Sequence, residues 1–465
     1  MRKPCSENRM AILNISSTFL VAGINFITVP IFTRMLNTDG YGLVNVYVAW
    51  VQICTIFVGL KAEGSIGSAQ ANLPPEEQEP YQFSVLMMTV AVFSGIMLLS
   101  AVFISPLSQA LNMSKLLVVA MLIQSFGSFL IAFFNARFIF RRQPHKNFLV
   151  SVGLCIGTTL LSVALIALIF TGEDGYLGRV IGLAVPNILI GLSLLLALAC
   201  SRQRRFDIKY WKFCLLLTLP LIFHSLSQIV LSQTGKIVIQ QSCGDSLTGI
   251  YSLAVVIVGF LGAIYSALNN AFVPFMYDDL AGKTSAAVKQ RHFKNYFTSF
   301  TLGTCAFSMM APEILKIMST EAYWPAVDVL PFLIIGQYGV FLYSFPVNYE
   351  FYKMRTSSIA VGTVLAALLN LILSIALIPA MGMLGAALAT MVSYLALFLF
   401  HFCIARYKLG DTNYSAKALC TGLVLVSAVA FLYYPLANLP FLRWIIGLFG
   451  LCLIGIRIWK TRTIF

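Results

Sequence analysis

Stretches of about 20 residues with almost no charge, each closed by a short polar break, follow one another from residue 11 to residue 459. A helix of that length crosses the hydrocarbon core of a bilayer, roughly 30 Å thick. Fourteen such stretches can be marked, at 11–33, 42–61, 84–104, 116–136, 148–170, 180–200, 213–240, 248–271, 298–318, 327–349, 358–378, 385–405, 416–435 and 442–459. Strands of a membrane barrel would be shorter and would alternate apolar with polar residues. Here a segment such as LVVAMLIQSFGSFLIAFF is apolar on both parities. The expected fold class is therefore an all-α integral membrane protein of about 14 transmembrane helices. Composition agrees, since only 10% of the chain is charged against roughly a quarter in soluble domains. Soluble enzymes, DNA-binding domains and secreted disulfide scaffolds are excluded together. Only the breaks at 62–83 and 272–297 exceed about fifteen residues, so no folded extramembrane domain is expected. The opening MRKPCSENR has the basic start of a signal peptide. The apolar run after it is too long for an h-region and lacks an A-x-A site, so it is expected to remain as a helix.

Orientation follows from lysines and arginines, which gather on the cytoplasmic side of short loops. With the N-terminus inside, 25 of the 31 basic residues fall on the inner side. The outer side keeps Arg34, Lys115, Arg179, Lys236, Lys316 and Arg443. Both termini are then expected in the cytoplasm. The same distribution accounts for the net charge of +14 as topology signal and contact with anionic headgroups, so nucleic acid is not an expected partner.

No catalytic or metal centre is legible. The ten cysteines include no C-x-x-C and lie mostly within spans as small packing residues; Cys243 alone faces outward. His145, His224, His292 and His401 form no H-E-x-x-H, and no phosphate-cradling G-x-x-x-x-G-K-[ST] occurs. No cofactor and no enzymatic activity are expected.

A weak internal repeat is visible. FTRMLNTDGYGLVNVY, across the first outer loop, overlays IQQSCGDSLTGIYSLA with an offset of 207, which places Gly42 on Gly249. Six spans separate the two segments, so the repeats run parallel about an axis along the membrane normal. The expected division is an N-terminal lobe over 1–205, a C-terminal lobe over 206–410, and two appended helices over 411–465. The lobes would face each other across a cleft.

In hydrocarbon a polar side chain needs a partner or water, so polar stripes mark inward faces. The first span carries Asn14, Thr18, Asn25 and Thr28 on one side, and the seventh carries His224, Gln228, Ser232 and Lys236 four apart. For the uncharged members, helix-to-helix hydrogen bonding of about 1 kcal/mol and substrate contact are both open. For Lys236 the choice lies between substrate contact and snorkelling to the interface. Lys61 and Glu63 are expected to neutralise each other, and Glu313 with Lys316 to form a local i,i+3 pair. The RFIFRR cluster reads as topology signal. Cations without lumenal carboxylates suit an anionic headgroup of the phosphate or pyrophosphate class.

NFITVPIFTRMLNTDGYGLVNVYVAWVQICTIFVGLKAEGSI resembles the N-terminal signature of the Wzx-type polysaccharide flippases, the O-antigen repeat-unit branch of the exporter superfamily that includes MATE and lipid II flippases. LPLIFHSLSQIVLSQTGKIVI, GIYSLAVVIVGF and YSALNNAFVPFMY resemble the start of its second half. The resemblance implies two six-helix lobes that move an undecaprenyl-pyrophosphate-linked oligosaccharide across the bacterial inner membrane. Membrane lipids, a polysaccharide polymerase and a chain-length regulator are the expected partners, and with no ATP motif the drive is expected from an H+ or Na+ gradient or from product removal outside. Arg34 and Lys61 match the basic residues that related flippases carry on the first two helices. Gly235 stands before Lys236 where family members often carry an acid, which weighs against a cation-coupling role there. Lys236 joins Arg34 and Lys61 as the expected pyrophosphate grip, with His224 and Glu63 as coupling groups. The rival readings are a multidrug or small-cation antiporter of the same superfamily, a membrane-embedded polysaccharide polymerase, and a non-transporting scaffold.

Overall fold

A computed structural model of the chain describes residues 7–200 and 205–461, with side chains over 20–200 and 205–459. Sixteen α-helices and no strand occur among the described residues. Eleven helices there are long and apolar enough to cross a membrane, so this is a multi-pass membrane protein. The chain divides into two compact units, Met1–Ile229 and Val230–Phe465.

The first unit comprises α1 (Glu7–Met35), α2 (Thr38–Gly59), α3 (Ile66–Asn72), α4 (Pro75–Val102), α5 (Ile104–Leu111), α6 (Lys115–Phe140), α7 (Pro144–Leu168), α8 (Gly175–Ala199) and the first part of α9 (Lys209–Cys243). Its centre is an aromatic ladder on α6, where Phe126, Phe129, Phe133, Phe134 and Phe138 are buried with Tyr81 and Tyr210. The break at 62–83 turns into this core. Tyr81 donates its hydroxyl to Ser65 at 2.6 Å, and Ser65 lies 3.6 Å from the Cys214 sulfur. Arg137 and Arg141 of RFIFRR each reach Glu79 at 2.9 Å, so the cluster is a partly buried grip on α4 as well as a charge signal.

The second unit continues α9 and adds α10 (Asp245–Leu280), α11 (Ala286–Ile317), α12 (Leu330–Tyr352), α13 (Thr356–Met381), α14 (Met383–Cys403), α15 (Ala416–Phe431) and α16 (Pro440–Thr461). Tyr338, Phe341 and Phe345 of α12 are buried with Tyr296 and Phe300 of α11. Here α15 and α16 pack on α11 and α12 as part of the same compact unit.

Each unit builds its interior from one arrangement. In the first, α8 lies along both α7 and α6; in the second, α14 lies along both α13 and α12. The close approach depends on glycines of α8 and α14. A Cβ on Gly182 would stand 2.5 Å from the Ser162 Cα, and one on Gly385 would stand 2.6 Å from the Leu377 carbonyl oxygen. Without a hydrophobic force between helices in lipid, such small-residue contact is what holds them together.

The long break at 272–297 is a correction to the sequence reading. Helix α10 runs on to Leu280 and α11 starts at Ala286. A helix need not stop where hydrocarbon stops. At 1.5 Å per residue, α9 and α10 are about 52 and 54 Å long, well beyond the apolar layer.

Candidate functional site

Two groups of polar side chains lie at opposite ends of α2 in the first unit, about 33 Å apart by helix rise.

One group forms where α2 ends. Leu60 and Lys61 take φ of 49° and 52°, consecutive left-handed residues without a glycine, a conformation that costs roughly 1–2 kcal/mol per residue. This turn swings Lys61 onto Glu63, with Nζ 2.9 Å from Oε1, so the expected pair forms. Half-buried His224 of α9 lies within electrostatic reach of Lys61, and Lys61, Glu63 and His224 are therefore brought together.

The other group forms where α1 ends and α8 begins. The Arg179 guanidinium lies flat over the Phe32 ring, its Cζ 3.7 Å from the ring centroid, and its Nη1 donates to the Ser162 hydroxyl at 3.0 Å. Tyr41 and Cys155 stand close enough to act on it electrostatically. Among the described residues no carboxylate lies within ion-pair distance of Arg179. The Cys155 thiol points to the Asn25 side-chain oxygen Oδ1 at 3.6 Å, which joins α1 to this patch.

The remaining expected residues are placed as follows. Asn14 and Thr18 lie outside the described side chains. Asn25 is exposed and Thr28 buried; the Thr28 hydroxyl donates to the Asn25 carbonyl at 2.9 Å within its own helix. Arg34, exposed in the last turn of α1, donates to the Pro30 carbonyl at 2.9 Å. In the second unit Ser232 is exposed and Lys236 is 8% exposed. Gln228, exposed, belongs to the first unit with His224.

Two intramembrane pairs in the second unit escape local sequence reasoning. Buried Arg443 of α16 donates from Nη2 to Glu313 of α11, while Lys316 sits over the Trp324 ring at 5.2 Å. The expected Glu313–Lys316 pair is thus replaced on both sides, because α16 delivers a guanidinium from 130 positions away. The other pair is His401 Nδ1 with Glu350 Oε1 at 2.6 Å, both fully buried. Ser358 donates its hydroxyl to the second oxygen of Glu350.

Residues 9–278 match the model of the family described as polysaccharide biosynthesis protein. A protein of the Lsg locus of Haemophilus influenzae is 23% identical over 387 residues, covering 78% of this chain and 90% of that protein. Among solved structures, the lipid II flippase MurJ in an inward closed conformation superposes with a TM-score of 0.68 at 15% identity, covering 97% of this chain and 100% of that one. An inward-facing multidrug resistance MATE transporter of the MOP superfamily superposes at 0.60 with 12% identity, covering 88% and 99%. At these identities the structural likeness speaks for the fold.

Proposed function

This chain belongs to the polysaccharide biosynthesis protein family, and from that membership we propose that it is a flippase that carries a polyprenyl-pyrophosphate-linked oligosaccharide across the bacterial cytoplasmic membrane by alternating access. The observation that carries the cargo class is Arg179, a cation set among Phe32, Ser162, Cys155 and Tyr41 with no carboxylate paired to it. A guanidinium so placed offers its fork to phosphate oxygens through charge-assisted hydrogen bonds. The aromatic face beneath Arg179 holds it in place when no phosphate is present.

The two groups in the first unit suggest a sequence of events. Lys61, brought onto Glu63 by its left-handed turn, exchanges that carboxylate for the pyrophosphate at one membrane face. Arg179, with Arg34 nearby on the chain's outward tally, receives it at the other. The fold shared with a lipid II flippase supports the reading, and the proposed drive is an H+ or Na+ gradient or removal of product. His224 is the proposed proton carrier, because an imidazole titrates nearest physiological pH. Polymerase and chain-length regulator remain the proposed partners.

A multidrug antiporter would need a free intramembrane carboxylate for its cationic substrate. Glu313 and Glu350 are already engaged by Arg443 and His401, which favours the flippase. A polymerase would set a carboxylate beside an arginine under a large outer loop, and the patch around Arg179 holds no carboxylate.

The deciding experiment is deletion followed by chemical identification of the lipid that accumulates on the inner leaflet. A polyprenyl-pyrophosphate oligosaccharide is expected; normal lipid pools with altered drug resistance would overturn the proposal. In the same strain, Lys236→Ala and Arg34→Ala are expected to remove surface polysaccharide at unchanged membrane protein level, and normal polysaccharide from either would remove that residue from the mechanism. Thiol labelling of Cys243 from outside the cell checks the orientation.

A further inference from the structure

Two cavities adjoin on the flank of the second unit, between α11 and α15. One, of about 540 Å³, is lined by Lys289, Lys294 and Asn413 among others; the next, of about 460 Å³, is lined by Leu302, Lys417, Thr421 and Leu425 among others. They share Phe297, Thr298, Ser415 and Ala418, so they form one groove. The groove has a polar mouth and a long apolar channel.

The mouth is built for an anion. Helices α11 and α15 both begin there, each capped by a serine: Ser285 accepts from the Val288 amide and Ser415 from the Ala418 amide. Both helix N-termini, staggered along α11, thus turn their positive ends toward the groove. Lys294 and Lys417 are exposed there, and Lys289 donates from Nζ to the Asn413 side-chain oxygen. Asp411, the acid of the segment joining α14 to α15, is turned inward. It is buried, and it accepts from the Asn413 amide at 2.9 Å and from the Asn413 side chain. Burial pushes its carboxyl above the ordinary range against those hydrogen bonds. Arg406 fixes the same loop by donating to the Asp411 carbonyl at 2.9 Å. Lys294 and Lys417 therefore face outward, Lys289 is turned to Asn413 within electrostatic reach of the buried Asp411, and Phe297, Leu302 and Leu425 carry the groove on along the two helices.

The geometry points to a resident-lipid site: one anionic glycerophospholipid, its phosphate held by Lys289, Lys294 and Lys417 and one acyl chain laid between α11 and α15. This site is separate from the patch around Arg179 and does not depend on the cargo. Charge complementarity selects an anionic over a zwitterionic headgroup, and the length of the apolar channel selects a lipid over a free phosphate.

The test is native mass spectrometry of the full chain in detergent, titrated in parallel with dioleoyl phosphatidylglycerol, dioleoyl phosphatidylcholine and glycerol 3-phosphate. One phosphatidylglycerol adduct is expected to persist at collision energies that strip phosphatidylcholine, and glycerol 3-phosphate is expected to leave it in place. The triple variant K289Q/K294Q/K417Q should weaken that adduct at least about tenfold, given roughly fivefold per lysine near an anionic lipid surface. Thr421→Trp, which fills the channel from an exposed position, should weaken it while leaving the lysines intact. Equal retention of both lipids, or an adduct indifferent to both variants, would overturn the proposal and reduce the groove to ordinary lipid contact. Displacement by glycerol 3-phosphate would overturn the lipid in favour of a soluble phosphate. The unfolding temperature of each variant without added lipid separates loss of binding from loss of fold.

Discussion

The two units share one pattern of helix pairing, yet Arg179 of the first and Arg443 of the second are handled in opposite ways. In the first, Arg179 rests on an aromatic ring and a hydroxyl with no carboxylate partner. In the second, Arg443 and His401 each meet a glutamate, and three of these four side chains are 0–1% exposed. A buried ion pair is weak evidence for net stability, but removing one member leaves an uncompensated charge and costs about 3–5 kcal/mol. A cation without a carboxylate has capacity left for a ligand. The comparison therefore teaches where to look for cargo contact and where to look for structure.

The largest expected effect is on the second unit. Glu313→Ala and Glu350→Ala should each lower stability by about 3–5 kcal/mol, read as a drop in unfolding temperature of the detergent-solubilised protein. The double replacement Glu313→Leu with Arg443→Leu should recover most of that loss, since an apolar pair of similar volume is often neutral or better. Next comes Arg179→Ala, expected to cut surface polysaccharide by roughly 10- to 100-fold, the weight of a hydrogen bond to a charged group, at unchanged membrane protein level. If Arg179→Ala instead unfolds the chain as Glu313→Ala does, the contrast between the units disappears. Phe32→Leu removes the aromatic support, about 0.5–2 kcal/mol, and should give a several-fold loss of polysaccharide with Arg179 intact. The smallest effect is at Glu63→Gln, whose pair with Lys61 lies in a partly exposed position. A stability change within about 1 kcal/mol is expected there, so any large loss of transport would have to come from the charge itself.

Most of the helix positions were legible in the sequence because an uninterrupted apolar run of some 20 residues has few other homes. The three spans that do not stand out on hydropathy among the described residues, α1, α11 and α15, have plain reasons. The first part of α1 falls outside the described side chains, α15 is short, and α11 carries Thr298, Ser299, Thr301, Thr304, Ser308, Glu313 and Lys316 within its apolar stretch. The pairings were less legible. Charge counting assigns a residue to a side of the membrane, not to a depth or a neighbour, so Arg179 and Arg443 were both tallied as outer charges although they end up on Phe32 and Glu313. A signal for Arg179 did exist. Gly175, Gly178 and Gly182 mark the face by which α8 closes on α7, and Arg179 sits beside it. No comparable signal marks Glu350 and His401, whose meeting depends on how α12 and α14 cross. The Glu313–Lys316 reading failed because i,i+3 spacing permits a pair without demanding one.

The mirrored backbone at Leu60 and Lys61 makes the corner at the foot of α2 unusually open to dissection. Glycine at position 61 would keep the corner and delete the ammonium; arginine would keep a cation but add bulk to a residue already in a costly conformation; glycine at position 60 would relax the corner while sparing the lysine. Shape and charge, which most sites bind into one side chain, can here be varied one at a time.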